Sequence, residues 1–187
     1  MRGLRTLLAT AALISFAITA QAQDAVSYYG FSFPSQIGAM ERKNVTDFEK
    51  TNPGVGYGIS YVGDGAFVDI FVYDLGKRSI SWDVFHADQR EELEASIRAI
   101  YRTKEAGRYR DVKDGEEFES PAVKNPFFRC KAFVIEHANG LVRDSVICLG
   151  AQNNKFFKAR ITYAERQSNV AERSDKLMRE ISRATKF

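Results

Sequence analysis

The spacing of apolar residues and the turn chemistry predict an α+β fold, a central antiparallel sheet flanked by a mid-chain helix and a C-terminal helix. Three observations predict it. A glycine-bounded hairpin signal lies at 57–73, and a second hairpin signal with a cysteine in each arm lies at 129–149. Two segments with helical spacing, one between these hairpins and one after them, each carry a single apolar stripe of the kind that packs on a sheet.

From the start of the folded region, residues 27–33 alternate well enough for a strand and stop at Pro34. Residues 40–49 are more polar and read as an edge strand or a loop. Residues 57–62 and 66–73 are β-rich runs around Gly63-Asp64-Gly65, a hairpin. In the second run Ala66, Val68, Ile70 and Val72 share one face while Phe67, Asp69, Phe71 and Tyr73 share the other. Both faces are largely apolar, which predicts a central strand covered on each side. The first helix is expected from near Asp88, which has capping-box spacing to Glu91, to a C-cap near Gly107, with Leu93, Ile97, Ile100 and Tyr101 inward.

Residues 115–123 read as a short strand before Pro121 and Pro126 break the chain. Runs at 129–137 and 141–149 flank Asn139-Gly140, a strong turn signal. A loop of Ala138-Asn139-Gly140 pairs His137 with Leu141, and counting outward sets Cys130 against Cys148. A disulfide across a non-hydrogen-bonded pair follows, whereas a two-residue turn would offset the cysteines by one position. The run 155–163 follows Gln152-Asn153-Asn154 and completes a three-strand meander. The last helix starts near Asn169, with Glu172 three residues on, and points Val170, Leu177, Met178 and Ile181 inward. Glu172 with Lys176 and Asp175 with Arg179 have i, i+4 spacing.

The N-terminus is a separate matter. Arg2 and Arg5 precede an uncharged, mostly apolar run over 7–19, followed by Ala20-Gln21-Ala22. This layout predicts a secretory signal peptide over 1–22, cleaved between Ala22 and Gln23, and a single domain over 23–187. The run is short for a membrane span, so export to the periplasm or the medium is expected, with a retained anchor as the alternative. Taking Arg2 and Arg5 from the 27 basic residues leaves 25 against 24 acidic, which gives no electrostatic footprint for nucleic acid. The export signal also places both cysteines where disulfides persist, and a structural role is expected of them.

Phe31-Ser32-Phe33-Pro34, the hairpin ending in Phe71-Val72-Tyr73-Asp74-Leu75-Gly76, the single mid-chain helix, the meander and a terminal helix after Phe157-Lys158-Ala159-Arg160-Ile161-Thr162-Tyr163 together resemble the PsbP/Mog1-like superfamily, including the DcrB-like bacterial envelope proteins. The resemblance covers most of residues 27–185. It implies a central antiparallel sheet flanked by helices and a non-enzymatic accessory or binding role. The leader is followed by no acylatable cysteine, so the lipoprotein anchor of some relatives is not carried over.

Chemistry-bearing motifs are sparse. His86 lies before the first helix with Asp83 and Asp88 near it, and His137 sits beside Glu136; neither has metal-ligand spacing, and G-x-S-x-G is absent. An exposed or capping role is expected of His86 and of His137. Gly54-Val55-Gly56-Tyr57-Gly58 leads into a strand, whereas a phosphate loop opens onto a helix N-terminus, so a turn is expected there. Asp69 on its apolar strand reads as facing an arginine or lying at the sheet rim. No metal and no cofactor are predicted.

Trp82, in the polar loop between the first hairpin and the helix, is the chain's one tryptophan. Tyr73, Asp74, Trp82 and His86 are expected together at one end of the sheet, where an aromatic and polar cluster suits a peptide, glycan or protein partner; the competing reading folds Trp82 over the core as a lid. The leading expectation is thus an exported, non-catalytic binding protein whose partner is an envelope protein or small ligand. Two alternatives stand beside it: a periplasmic inhibitor of a cell-wall hydrolase, using the loop 76–83, and a small hydrolase centred on His86.

Overall fold

Turn chemistry shapes most of the sheet. The computed structural model describes residues 24–187, so the expected leader and its Ala22–Gln23 cleavage position lie outside the described residues. The first elements are β1 (Val26–Tyr28), β2 (Phe31–Phe33), β3 (Gln36–Ile37), β4 (Met40–Asp47), β5 (Tyr57–Gly63) and β6 (Ala66–Tyr73). After α1 (Ala87–Glu105) come β7 (Tyr109–Ser120), β8 (Phe128–His137), β9 (Val142–Gln152), β10 (Lys155–Tyr163) and α2 (Val170–Thr185). Strands β3 to β10 form one antiparallel sheet in the order β3-β4-β5-β6-β10-β9-β8-β7, while β1 and β2 pair only with each other.

Asp64 and Gly65 link β5 to β6 with φ of 48° and 66°, the two left-handed residues of a type I′ turn; glycine takes this conformation without a Cβ clash. Asn153 and Asn154 do the same between β9 and β10, at 55° and 56°. The cysteine hairpin has the expected three-residue loop: the His137 N–H donates to Leu141 O, and Cys130 opposes Cys148 in register. The two are disulfide-bonded, with Cα atoms 4.1 Å apart.

The meander β8-β9-β10 joins the N-terminal strands through β6 and β10, which pair from Phe156 opposite Tyr73 to Tyr163 opposite Ala66. This makes β6 central, as its two apolar faces imply. On one face Ile59, Tyr61, Val68, Ile70, Val72 and Phe157 pack with Leu177, Met178 and Ile181 of α2 and with Phe31 and Phe33 of the small hairpin. On the other, Tyr73, Phe133, Ile135, Ile147, Leu149 and Phe156 pack with Leu93 and Ile100 of α1. One helix does not cover the width of eight strands. The second face of β6 is therefore only partly covered, and Phe67 at its far end is 43% exposed.

Four expectations are corrected. Residues 27–33 are two strands, because Tyr29 and Gly30 both turn to positive φ; alternating aromatics look alike on either side of a tight turn. The N-cap of α1 is His86, whose Nδ1 accepts from Asp88 N at 3.3 Å, and not Asp88. The Asn169 side chain makes no cap bond and instead donates to Glu172 at 2.8 Å, while Asp175 and Arg179 do form their ion pair at 2.5 Å. The strand after α1 runs for twelve residues from Tyr109, with bulges at Tyr109/Asp111 and Asp114/Glu117. It pairs with β8 alone, so its solvent side is charged and the apolar alternation that marks a strand is missing.

Candidate functional site

The expected cluster of Tyr73, Asp74, Trp82 and His86 resolves into separate roles. Tyr73, at the end of β6, is 5% exposed and donates its hydroxyl to Glu92 on α1 at 2.5 Å. Burial and then the Glu92 carboxylate push this phenol well above its usual range. Burial raises Asp74, but the bond from Lys155 and the Gly76 N–H at 2.7 Å outweigh it and hold the carboxyl below the usual range. His86 is exposed, and its partners are the Asp88 backbone N–H and the Asp88 carboxylate at 3.3 Å, so its geometry is that of a cap.

The Asp74–Lys155 pair ties the end of β6 to the start of β10 and carries a pH dependence. A carboxyl lowered on folding stabilises the fold above its unfolded pKa, and that contribution disappears as pH falls through the folded value. Urea unfolding midpoints are therefore expected to drop between pH 5 and pH 3, about the carboxylate range. The drop is expected to be smaller in Asp74→Asn; an identical slope in the two proteins would refute the assignment.

Trp82 is 76% exposed, which overturns the reading of it as a lid. The loop beneath it is braced. Ile80 and Val84 are buried, Gln89 donates to Ser81 O at 2.7 Å, Lys77 bonds Asp88 at 2.6 Å, and Asp83 accepts from Phe85 N at 2.9 Å. With these anchors inward, Trp82 and Phe85, the latter 53% exposed, are turned out. A second loop, 121–127, lies beside it with Val123 and Phe127 at 56% and 48% exposure. Trp82, Pro126, Phe127 and Phe187 line a cavity of about 400 Å³ with Ala151, Gln152 and their neighbours at the β9–β10 turn. Tyr73, Asp74 and His86 are not part of it. On the other side of Phe127 a cavity of about 290 Å³ opens against Met178 and Ser182 of α2.

Phe127 was not legible as a site residue. Its signal is the pair Pro121 and Pro126 just before it, which disfavours sheet pairing and so leaves an aromatic residue at the end of a loop. Arg129 completes the patch, with its guanidinium 5.7 Å from the Phe85 ring.

The glycine-rich stretch is a turn, and an internal anion already fills it. The Glu49 carboxylate accepts from Gly54 N and Gly56 N at 2.8–3.1 Å, a nest of backbone N–H groups satisfied from within. Gly56 is required there, since a Cβ would stand 1.9 Å from Val72 O. Asp69 lies opposite Arg160 in register and accepts from Ser60 Oγ at 2.6 Å. Among the described residues no group of three or more His, Cys, Asp and Glu side chains is arranged to hold a metal, and no helix is long and apolar enough to cross a membrane.

Compared with known proteins, the chain matches no family model and no curated protein. Among solved structures it is similar to the solution structure of cyanobacterial PsbP (CyanoP) from Synechocystis sp. PCC 6803, with a TM-score of 0.45 and 10% identity over 90% of this chain and 94% of that one.

Proposed function

We propose that the chain is an exported, non-catalytic accessory protein of the bacterial envelope, in keeping with the resemblance of its sequence to the PsbP/Mog1-like superfamily, and that it engages a protein partner through the aromatic end of its sheet. The observation that carries this reading is Trp82, 76% exposed on a braced loop beside Phe127. Large aromatics held rigidly in solvent cost little side-chain entropy when they are covered, and they dominate the centres of protein interfaces. Clustered apolar exposure of this kind marks an interaction surface more often than scattered single residues do. The disulfide agrees with an oxidising compartment, as export requires.

Trp82→Ala and Phe127→Ala are expected to change unfolding free energy by no more than about 0.5 kcal/mol, the usual range for exposed positions, while abolishing partner capture. A photo-crosslinking residue at position 82 should trap one dominant envelope protein, with the same residue at Glu116 on β7 as control. Equal trapping at both positions, or a loss of several kcal/mol in Trp82→Ala, would remove the basis of the proposal.

The inhibitor reading is favoured by the same bracing, because Leu75, 51% exposed, and Trp82 make two fixed apolar tips on one loop. It is distinguished by activity: the purified chain would then slow a cell-wall hydrolase, and Trp82→Ala would relieve that inhibition.

A further inference from the structure

At the opposite end of the β8–β9 ladder, about 30 Å away at 3.3 Å per residue, α1 ends and the sheet face is left open. Arg143 of β9, Arg160 of β10 and His137 of β8 fall on this face by strand alternation, with the α1-facing residues Ile147, Phe133 and Ile135. Tyr109 of β7 leans over them. Its ring meets His137 edge-on at 5.3 Å between centroids, and its hydroxyl accepts from Arg160 Nη2 at 2.7 Å. The Arg143 guanidinium lies 5.7 Å from the Phe67 ring.

Neither arginine has a carboxylate within 4 Å among the described residues, although fifteen other ion pairs form. The carboxylate on this face, Asp69 of β6, is bonded by Ser60. Among the described residues three side-chain nitrogen atoms on this face are buried without a hydrogen-bond partner: Arg143 Nε, Arg160 Nε and His137 Nε2, the last a correction to the exposed role expected of His137, which Tyr109 and the strand end cover. Unpaired buried polar atoms are costly, and three of them on one face mark a place where an acceptor from outside the chain, water or a bound anion, is stabilising. Arg160 also lines a cleft of about 240 Å³ between α1 and the sheet, whose other walls include the Ser60-bonded Asp69, Phe71, Ala99, Ile100, Thr103 and Lys158.

We infer that this open face is an oxyanion site in which Arg143 and Arg160, edged by Tyr109 and His137, take the carboxylate or phosphoryl group of a small organic anion whose apolar body enters the cleft under α1. Planar guanidinium groups pair with such anions through two parallel hydrogen bonds, which is why arginine and not lysine is expected at the anchoring positions. Lys158 differs from them because Glu92 stands 3.8 Å from its ammonium.

His137 supplies the reporter. Burial, then Arg143 and Arg160, lower its pKa in the free protein. The groups facing it are those two arginines and Tyr109; beyond them the Asp111 carboxylate is occupied by Lys104 and Glu136 by Arg110. An anion seated between the arginines offsets their field, so His137 takes up a proton more readily in the complex and its pKa rises.

The test is an NMR titration of the His137 imidazole in the purified chain, with sodium phosphate in one arm and sodium benzoate in the other, at ionic strength held constant with sodium chloride. A saturable shift with a raised His137 pKa is expected in at least one arm, and the tighter arm identifies the head group. Arg143→Gln is expected to weaken that binding about tenfold or more, the usual effect of losing a charge-assisted bond. Its guanidinium rests on an exposed ring, so the variant should fold; Arg160→Gln, checked by circular dichroism, is the second. Arg110→Gln should leave the affinity unchanged. No saturable shift with either probe, or equal affinity in Arg143→Gln and the parent, overturns the proposal.

Discussion

Phe157→Ala is expected to cost about 3–5 kcal/mol of folding free energy, the range for emptying a large aromatic site in a packed core. Phe157 sits on β10 with no exposed surface, and its ring lies 5.4 Å from Phe31, 6.4 Å from Phe33, 5.8 Å from Phe128 and 5.2 Å from Phe187 between centroids. These neighbours come from the N-terminal hairpin, the meander and the last residue of the chain. Collapse around the cavity would require several elements to move together, which keeps the cost near the upper end of the range. For a chain of this size the melting temperature should fall by roughly 10 °C, at about 2–4 °C per kcal/mol. Calorimetry or urea titration measures it, and a loss under about 1.5 kcal/mol would mean that the aromatic cluster is not the packed centre of the α2 side.

Removing the disulfide with a Cys130→Ala and Cys148→Ala double variant should cost about 3 kcal/mol by the loop-closure argument, given a separation of 18 residues. Both cysteines are buried, on the α2 face of β8 and β9, with the edge strand β7 covering the outer side of β8. The native bridge should accordingly resist reductant until the protein unfolds, and alkylation after mild reduction should label neither thiol. Rapid labelling under native conditions would show that the β8–β9 ladder opens locally. The variant is expected to retain the β8–β9 register, because the hairpin loop already sets it.

The disulfide was legible from residues close together in the chain, whereas the Phe157 cluster gathers rings from distant segments. Asp64-Gly65, Asn153-Asn154 and the loop before Leu141 state their turns in their own chemistry, and counting outward from a turn gives every cross-strand pair. Amphipathic spacing placed α1 and α2 for the same local reason. The pairing of β6 with β10 has no such signal: it joins segments on either side of a helix and a meander, and nothing at either strand names its partner. Strand β7 was underestimated because an edge strand needs no second apolar face.

The sites divide in the same way. Trp82 could be picked out by its rarity and its loop, but its exposure depends on Ile80 and Val84 turning inward beneath it. Phe127 became its neighbour only through tertiary packing. Arg143, Arg160 and His137 look like ordinary solvent-side residues of three strands. Strand parity puts them on the α1 side, a signal that became useful once the register of all three strands was known.

An open sheet of eight strands has two borders at which another molecule's backbone can add, the route by which folded β-proteins seed aggregates. In this chain neither border invites growth. One is β3, only two residues long, continued by the polar outer half of β4 with its bulge between Arg42 and Asn44, and the other is β7, whose five carboxylates and two basic residues surround a bulge that breaks the run of free N–H and C=O groups. Two copies approaching through β7 would bring carboxylate against carboxylate. The charge that hid this strand from a hydropathy pattern thus protects the colloidal stability of a protein that leaves Trp82 and Phe127 exposed at one end.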